Sequence, residues 1–266
     1  MTATHWITVE GLTIEEPQPN GTSKVLVDHV DLTIDQGEVL GLIGESGSGK
    51  SLTMKALMGL LPQNLEVSMS RFTVSGQPVV DPTTLPFTMI FQDPMTSLDP
   101  VFTIGEHLSE VIERFQTQVP EEIEQQAVAM LTRVGIPNPE KVLSQYPHEL
   151  SGGMRQRVMI GMALLTNSKL LIADEPTTAL DVTIQKQILQ LMRRLQLEQA
   201  LTLVIVSHDF GVIAGMSDRV AVMYQGKIIE RNTTEELFEH PEHDYTKQLL
   251  AAADLGRSRE EENWHA

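Results

Sequence analysis

Cysteine is absent from all 266 residues. Disulfides, thiolate metal sites, iron–sulfur clusters and a thiol nucleophile are thereby excluded, which is compatible with a cytosol. Basic residues are few: 19 Lys and Arg stand against 36 Asp and Glu, a formal net charge of −17. That balance opposes binding to a nucleic-acid backbone, which needs clustered Lys and Arg, and equally opposes docking on anionic lipid. Contact with a membrane would have to run through a protein partner. No stretch approaches the ~18 apolar residues that cross a bilayer, and Met1-Thr2-Ala3-Thr4-His5-Trp6 has neither the basic nor the apolar region of a signal peptide. A protein that stays in solution where it is made is expected. No internal repeat is evident, and the length suits one large domain or a domain with a subdomain.

What the chain does have is organised around Gly44-Glu45-Ser46-Gly47-Ser48-Gly49-Lys50-Ser51. This stretch follows the apolar run Val39-Leu40-Gly41-Leu42-Ile43 and leads into the helix-like Ser51 to Met58, so it sits where a strand turns into a helix. A phosphate-binding loop needs that context. Gly44, Gly47 and Gly49 let successive N–H groups point inward, and the helix beginning at Ser51 adds the positive end of its dipole. Lys50 would reach the β- and γ-phosphates of a polyphosphate, and the Ser51 hydroxyl would ligate Mg²⁺. A glycine-rich turn that happens to carry Gly-Lys-Ser is the alternative for this stretch alone.

Along the rest of the chain, strands are expected at Trp6–Val9, from Val25–Val27 through Leu32–Ile34, and around Phe72–Val74, Val79–Val80 and Thr88–Phe91. Glu15 to Gly21 reads as a loop from its Pro, Asn and Gly content. Between Gly105 and Glu149 the apolar period becomes helical, with Leu108, Val111, Ile112, Ile123, Val128, Leu131 and Val134 at three- and four-residue spacing. A helix from Ser151, a strand Leu170–Ala173, a helix Thr183–Leu197 and a strand Leu201–Val206 then alternate, the pattern of a parallel sheet covered by helices. Strands Val220–Tyr224 and Lys227–Ile229 follow, joined at Gln225-Gly226, with short helices at Thr234–Glu239 and Tyr245–Ala253 before a polar tail. The division expected is a core of residues 1–95 and 150–235, a helical subdomain 96–149, and C-terminal helices and tail 236–266.

Two further motifs carry chemistry. Leu170-Leu171-Ile172-Ala173-Asp174-Glu175-Pro176 is an apolar strand ending in two carboxylates, which near a core need a partner, and a cation is the simplest one. Asp174 would enter the Mg²⁺ shell and Glu175 would polarise a water. An exposed acidic turn is the alternative. In Leu150-Ser151-Gly152-Gly153-Met154-Arg155-Gln156-Arg157, Ser151 can cap the following helix while Gly152 and Gly153 expose N–H groups at its N-terminus, a second anion site.

Gly44–Ser51, Gln92, Leu150–Arg157, Asp174-Glu175 and His208, in that order over nearly the whole chain, resemble the nucleotide-binding subunit of an ATP-binding cassette (ABC) transporter. The resemblance implies an α/β P-loop NTPase fold of the ABC type, with a mixed or parallel sheet core, an N-terminal antiparallel β subdomain and a helical insertion. It also implies the cofactors ATP and Mg²⁺. Residue by residue, Lys50 and Ser51 correspond to the family's phosphate-loop lysine and metal ligand, and Gln92 to the glutamine that touches metal and water. Ser151, Gly152 and Gly153 correspond to the signature loop that completes the ATP site of the opposite subunit. Asp174 and Glu175 correspond to the metal-binding and catalytic carboxylates, Asp181 to the dimer-contact loop and His208 to the switch histidine. Read alone, His208 would be an ordinary strand-end histidine.

Within the family, Phe91-Gln92-Asp93-Pro94, Tyr146-Pro147-His148-Glu149-Leu150 and the tail Leu237 to Leu250 are similar to bacterial oligopeptide, dipeptide and nickel importers, with Asp244 where a proline is usual. The short tail and absent cysteine lean toward the nickel-importer subunit. The partners so implied are an identical or paralogous ATPase subunit, two transmembrane permease subunits and, indirectly, an extracytoplasmic solute-binding protein, at the cytoplasmic face of the bacterial inner membrane and without nucleic acid. An ABC ATPase of a soluble assembly, such as the phosphonate-cleaving C–P lyase complex, is the rival. His240 and His243 beside Pro241 are too few ligands for a nickel sensor, and Met154, Met159 and Met162 fit helix packing.

Where the family usually places an aromatic residue to stack on adenine, this chain carries Glu16. Either the stack is missing or another side chain provides it, and the expectation is that ATP is only weakly preferred over GTP. Comparable turnover of the two nucleotides in a phosphate-release assay is the predicted result, and strict ATP dependence would contradict it.

Overall fold

The computed structural model describes residues 5–91, 97–116, 120–178 and 180–252. In chain order its elements are strands β1 (Ile7–Pro17), β2 (Ser23–Ile34) and β3 (Val39–Ile43), helix α1 (Lys50–Leu57), and strands β4 (Glu66–Ser68), β5 (Arg71–Val74), β6 (Gln77–Pro78) and β7 (Phe87–Ile90). Helices α2 (Ile104–Phe115), α3 (Pro120–Arg133), α4 (Pro139–Leu143) and α5 (Gly152–Leu165) follow, then strand β8 (Leu170–Asp174) and helix α6 (Val182–Gln199). Strand β9 (Thr202–Ser207), helix α7 (Phe210–Met216), strands β10 (Arg219–Tyr224) and β11 (Lys227–Thr233), and helix α8 (Thr234–Glu239) complete the series. Residues 244–252 are also helical. The chain divides into two compact units, Met1–Leu85 with Thr202–Ala266, and Pro86–Leu201.

In the first unit β1 and β2 pair antiparallel from Ile7↔Ile34 to Pro17↔Ser23. Ile7 and Val9 are buried on β1, and after the register shift at Gly11 (φ 64°) so are Leu12 and Ile14. The extra residue moves the apolar set from odd to even positions and keeps it on the core face. On β2 the shift at His29 (φ 49°) does the same between Val27 and Val30. Glu15, Glu16 and Pro17, expected in a loop, are strand residues opposite Val25, Lys24 and Ser23. Pro17 is tolerated because it closes the strand. The loop shrinks to a turn in which Gln18 N–H donates to Thr22 O at 2.8 Å. Strands β4, β5 and β6 complete this antiparallel sheet. The exposed β4 had no apolar alternation to announce it.

The same unit holds the parallel strands. Strand β3 lies between β9 and β10, in register Ile43↔Ser207 and Ile43↔Val222, and every residue of β3 and β9 is buried. Continuous apolar strands of this kind are what a sheet buried on both faces requires. Strand β11 returns antiparallel to β10 through Gln225-Gly226 (φ 46° and 80°), a turn whose two left-handed residues match the strand twist.

In the second unit β7 and β8 pair in parallel from Phe87↔Leu170 to Ile90↔Ala173. Among its described residues the expected helical stretch holds three α-helices, α2, α3 and α4. Helix α2 begins with a capping box, in which Glu106 N–H donates to Thr103 Oγ1 and Thr103 N–H to the Glu106 carboxylate. Its Ile104, Leu108 and Ile112 are fully buried, as are Leu131 and Val134 at the end of the α3 region. The fold is α/β, with an antiparallel sheet and parallel strands, as expected.

Candidate functional site

The first unit builds a cradle from β3, α1 and the loop between them. A Cβ at Gly44 would stand 2.1 Å from the Met223 carbonyl oxygen, so only glycine lets the chain leave β3 beside β10. Gly49, at φ 106°, would bring a Cβ to 2.8 Å from Met223 Cε and 3.1 Å from Val27 Cγ2. The loop is closed by Ser48 N–H to Glu45 O at 3.2 Å and Gly226 N–H to Ser48 O at 3.0 Å. Lys50 is only 5 % exposed, and its Nζ donates to the carbonyls of Gly44 and Glu45, at 2.8 Å each. A buried ammonium at a helix N-terminus is an anion site whose cation is already oriented. The Ser48 hydroxyl is buried and has no hydrogen-bond partner among the described residues, so a phosphate oxygen could satisfy it. His208 is exposed and directly follows Ser207, which is paired with Ile43, so the two strands deliver His208 and Gly44 to the same end of the sheet. Asp209 caps α7, its carboxylate accepting from Gly211 N–H at 2.7 Å.

The second unit carries the carboxylates. Asp174 ends the wholly buried β8 at 4 % exposure, and an anion that deep needs donors or a cation. Glu175 is half-buried, and its Oε2 accepts from Thr178 Oγ1 at 2.8 Å while Thr178 N–H donates to Glu175 O at 3.2 Å. Ser151 is exposed and caps α5, its Oγ accepting from Met154 N–H at 3.3 Å. Gly152 is half-buried, whereas Gly153 is buried, and a Cβ there would lie 2.6 Å from Ile184 Cγ2. Gly153 thus has a packing reason besides the amide it contributes, since it lets the start of α6 approach. Asp181 caps α6 through Ile184 N–H at 3.0 Å. Gln92 lies outside the described residues. The Ser51 hydroxyl in the first unit and the Asp174 carboxylate in the second are each hard oxygen donors of the kind Mg²⁺ takes.

Residues 27–178 match the sequence model of the family described as ABC transporter. The chain is 47 % identical over 248 residues to the peptidoglycan transport ATP-binding protein of Agrobacterium fabrum, covering 89 % of this chain and 45 % of that protein. To the oligopeptide transport ATP-binding protein of Bacillus subtilis it is 47 % identical over 242 residues, with 88 % and 68 % covered. The glutathione import ATP-binding protein of Escherichia coli K12 is 47 % identical over 240 residues, 85 % and 38 % covered. The chain therefore spans less than half of two of these relatives. Among solved structures, cbiO1 of Clostridium perfringens, part of the ABC transporter complex cbiONQ, superposes with a TM-score of 0.74 at 26 % identity, over 98 % of this chain and 99 % of that one. A dimeric ATP-binding cassette bound to ADP and Pi in a post-hydrolysis state gives 0.71 at 26 % identity, over 86 % and 98 %.

Two features had no sequence signal. Glu45 N–H donates to the Tyr245 hydroxyl at 3.1 Å, across 200 residues of chain. Glu175 adopts a left-handed backbone (φ 48°), a strain of about 1–2 kcal/mol for a residue with a Cβ. Glu175→Gly is accordingly expected to be more stable than Glu175→Ala by about 1 kcal/mol, both having lost the bond to Thr178. Urea unfolding of the two variants checks this. Greater stability of the alanine variant would show that the backbone there is relaxed.

Proposed function

This chain belongs to the ABC transporter family, and we propose that it is the ATP-hydrolysing subunit of an importer for a peptide-type solute. The observation that carries the reading is Lys50, a buried ammonium held by the carbonyls of a glycine loop at a helix N-terminus. Relatives named for oligopeptide, glutathione and peptidoglycan transport support the solute class. Among the described residues no helix is long and apolar enough to cross a membrane. The chain would then act at the cytoplasmic face of the inner membrane, on a pair of permease subunits fed by a solute-binding protein.

In this reading two ATPase subunits, this chain and a paralogue or second copy, hold ATP between the Lys50 loop of one and the Ser151 segment of the other. The loop amides and Lys50 bind the phosphates, and Ser151 with the N-terminal amides of α5 faces the nucleotide of the opposite subunit. By the family resemblance Ser51, Asp174 and Gln92 would hold Mg²⁺, which would supply charge neutralisation on the phosphate oxygens. Glu175 accepts hydrogen bonds from the attacking water and polarises it, and His208 senses the γ-phosphate. The helical subdomain, residues 96–149, with the segment from Gln92 through Pro100, couples the cycle to the permease pair. Nickel is the second solute, since the motifs that resemble peptide importers resemble nickel importers as well.

In the complete importer, Glu175→Gln should bind ATP with unchanged affinity, while steady-state phosphate release falls by about 100-fold or more. Hydrolysis at the wild-type rate would remove this carboxylate from the role. Uptake of labelled peptides against uptake of nickel, in cells carrying and lacking the gene, separates the two solutes.

A further inference from the structure

The motif at the chain's end, His243-Asp244-Tyr245-Thr246, has no part in the function just described. It is nevertheless tied to the phosphate loop. Glu230 on β11 begins the attachment, its two carboxylate oxygens accepting the consecutive amides of Glu242 at 2.7 Å and His243 at 3.1 Å. Burial would raise this carboxyl, but the hydrogen bonds from those two amides, with the Thr246 side chain and His243 close by, outweigh it and hold the group below its ordinary value. His243 Nδ1 then accepts from Tyr245 N–H at 3.1 Å, which sets the start of helix 244–252. Tyr245 is 8 % exposed, and its ring lies against Tyr224 at the end of β10, with centroids 4.0 Å apart and planes inclined by 33°. Its hydroxyl accepts the amide of Glu45. Burial pushes that hydroxyl above the usual tyrosine range, so it stays protonated at neutral pH.

The peptide unit involved is the one between Gly44 and Glu45. Its N–H end is taken by Tyr245, and its C=O end, the Gly44 carbonyl, is one of the two oxygens that hold Lys50 Nζ. A peptide is planar, so fixing the direction of the N–H fixes the direction of the carbonyl. Beside a glycine such a unit rotates at little steric cost, and nothing on Gly44 itself resists this. The structure assigns to Tyr245 the part of a positioning residue: its hydroxyl locks the Gly44–Glu45 peptide and thereby holds the Lys50 ammonium where it meets phosphate. The C-terminal segment is in this sense a strap on the phosphate loop. The assignment rests on the nucleotide reading of that loop.

The test compares wild type with Tyr245→Phe, which keeps the ring against Tyr224 and removes only the hydroxyl. Binding of a fluorescent ATP analogue to the full chain and steady-state ATPase activity of the assembled importer are measured together. Loss of one buried hydrogen bond on the loop is expected to raise the Kd and the KM for ATP by about 3- to 10-fold, with kcat at saturating ATP changed less than about twofold. A merely structural role would lower the melting temperature and the active fraction, and hence kcat, without moving KM. Either that pattern, or a Kd for Tyr245→Phe within twofold of wild type, would overturn the inference. Tyr245→Leu, which also removes the ring contact, should raise KM at least as much as Tyr245→Phe, and a smaller rise would equally count against the hydroxyl. Failure of the wild-type chain to bind the analogue is a separate outcome, and it would sink the nucleotide reading on which the assignment stands.

Discussion

A lysine ammonium cannot lie 95 % buried without oxygens around it, and Lys50 finds them in the backbone of its own loop. That requirement shapes much of the first unit. The loop must curl back on itself, so Gly44 has to pass within a Cβ radius of the Met223 carbonyl, and Gly49 has to stand against Met223 and Val27. Strand β3 must deliver the chain to the loop that leads into α1, and the flanking parallel strands β9 and β10 hold it there, with all five of its residues buried. The reward is a cation whose desolvation and orientation are settled before any ligand arrives, the kind of preorganisation that phosphate binding exploits.

The same economy of means recurs at the other named positions. Ser151, Asp181 and Asp209 each sit at the N-cap of a helix and satisfy an amide there. A capping residue is locally useful whatever else it does, typically about 1 kcal/mol. Ser151 and Asp181, which the family resemblance links to nucleotide and dimer contact, therefore also have ordinary structural work. Glu175 differs from them. Its left-handed backbone costs stability, and the bond from Thr178 fixes the side chain in return, which is how strain is found at functional sites.

Much of this was legible in the sequence, for identifiable reasons. Strands β3, β8 and β9 are uninterrupted apolar runs, and α2 repeats at helical spacing behind Thr103 and Glu106, so local chemistry and global fold agree there. The glycine loop announces itself because its glycines, lysine and serine have no substitutes. The extension of β1 through Glu15, Glu16 and Pro17 was hidden, because charged residues and proline carry loop propensity, and only pairing with Val25, Lys24 and Ser23 makes them a strand. Strand β4 is three exposed residues held by β1, and α7 is a seven-residue helix, too short for periodicity to show. The tie from Tyr245 to Glu45 joins positions 200 residues apart, and the sign of φ at Glu175 is a backbone property. Neither leaves a mark in spacing or composition.

The central claim is that the loop around Lys50 receives the phosphates of a nucleoside triphosphate. Equilibrium binding of ATP with Mg²⁺ to the purified full chain and to Lys50→Ala tests it most directly. Saturable binding to the wild type and a Kd raised by at least about tenfold in the variant is the expected result. Equal affinities, or no binding by a folded wild-type chain, would contradict it.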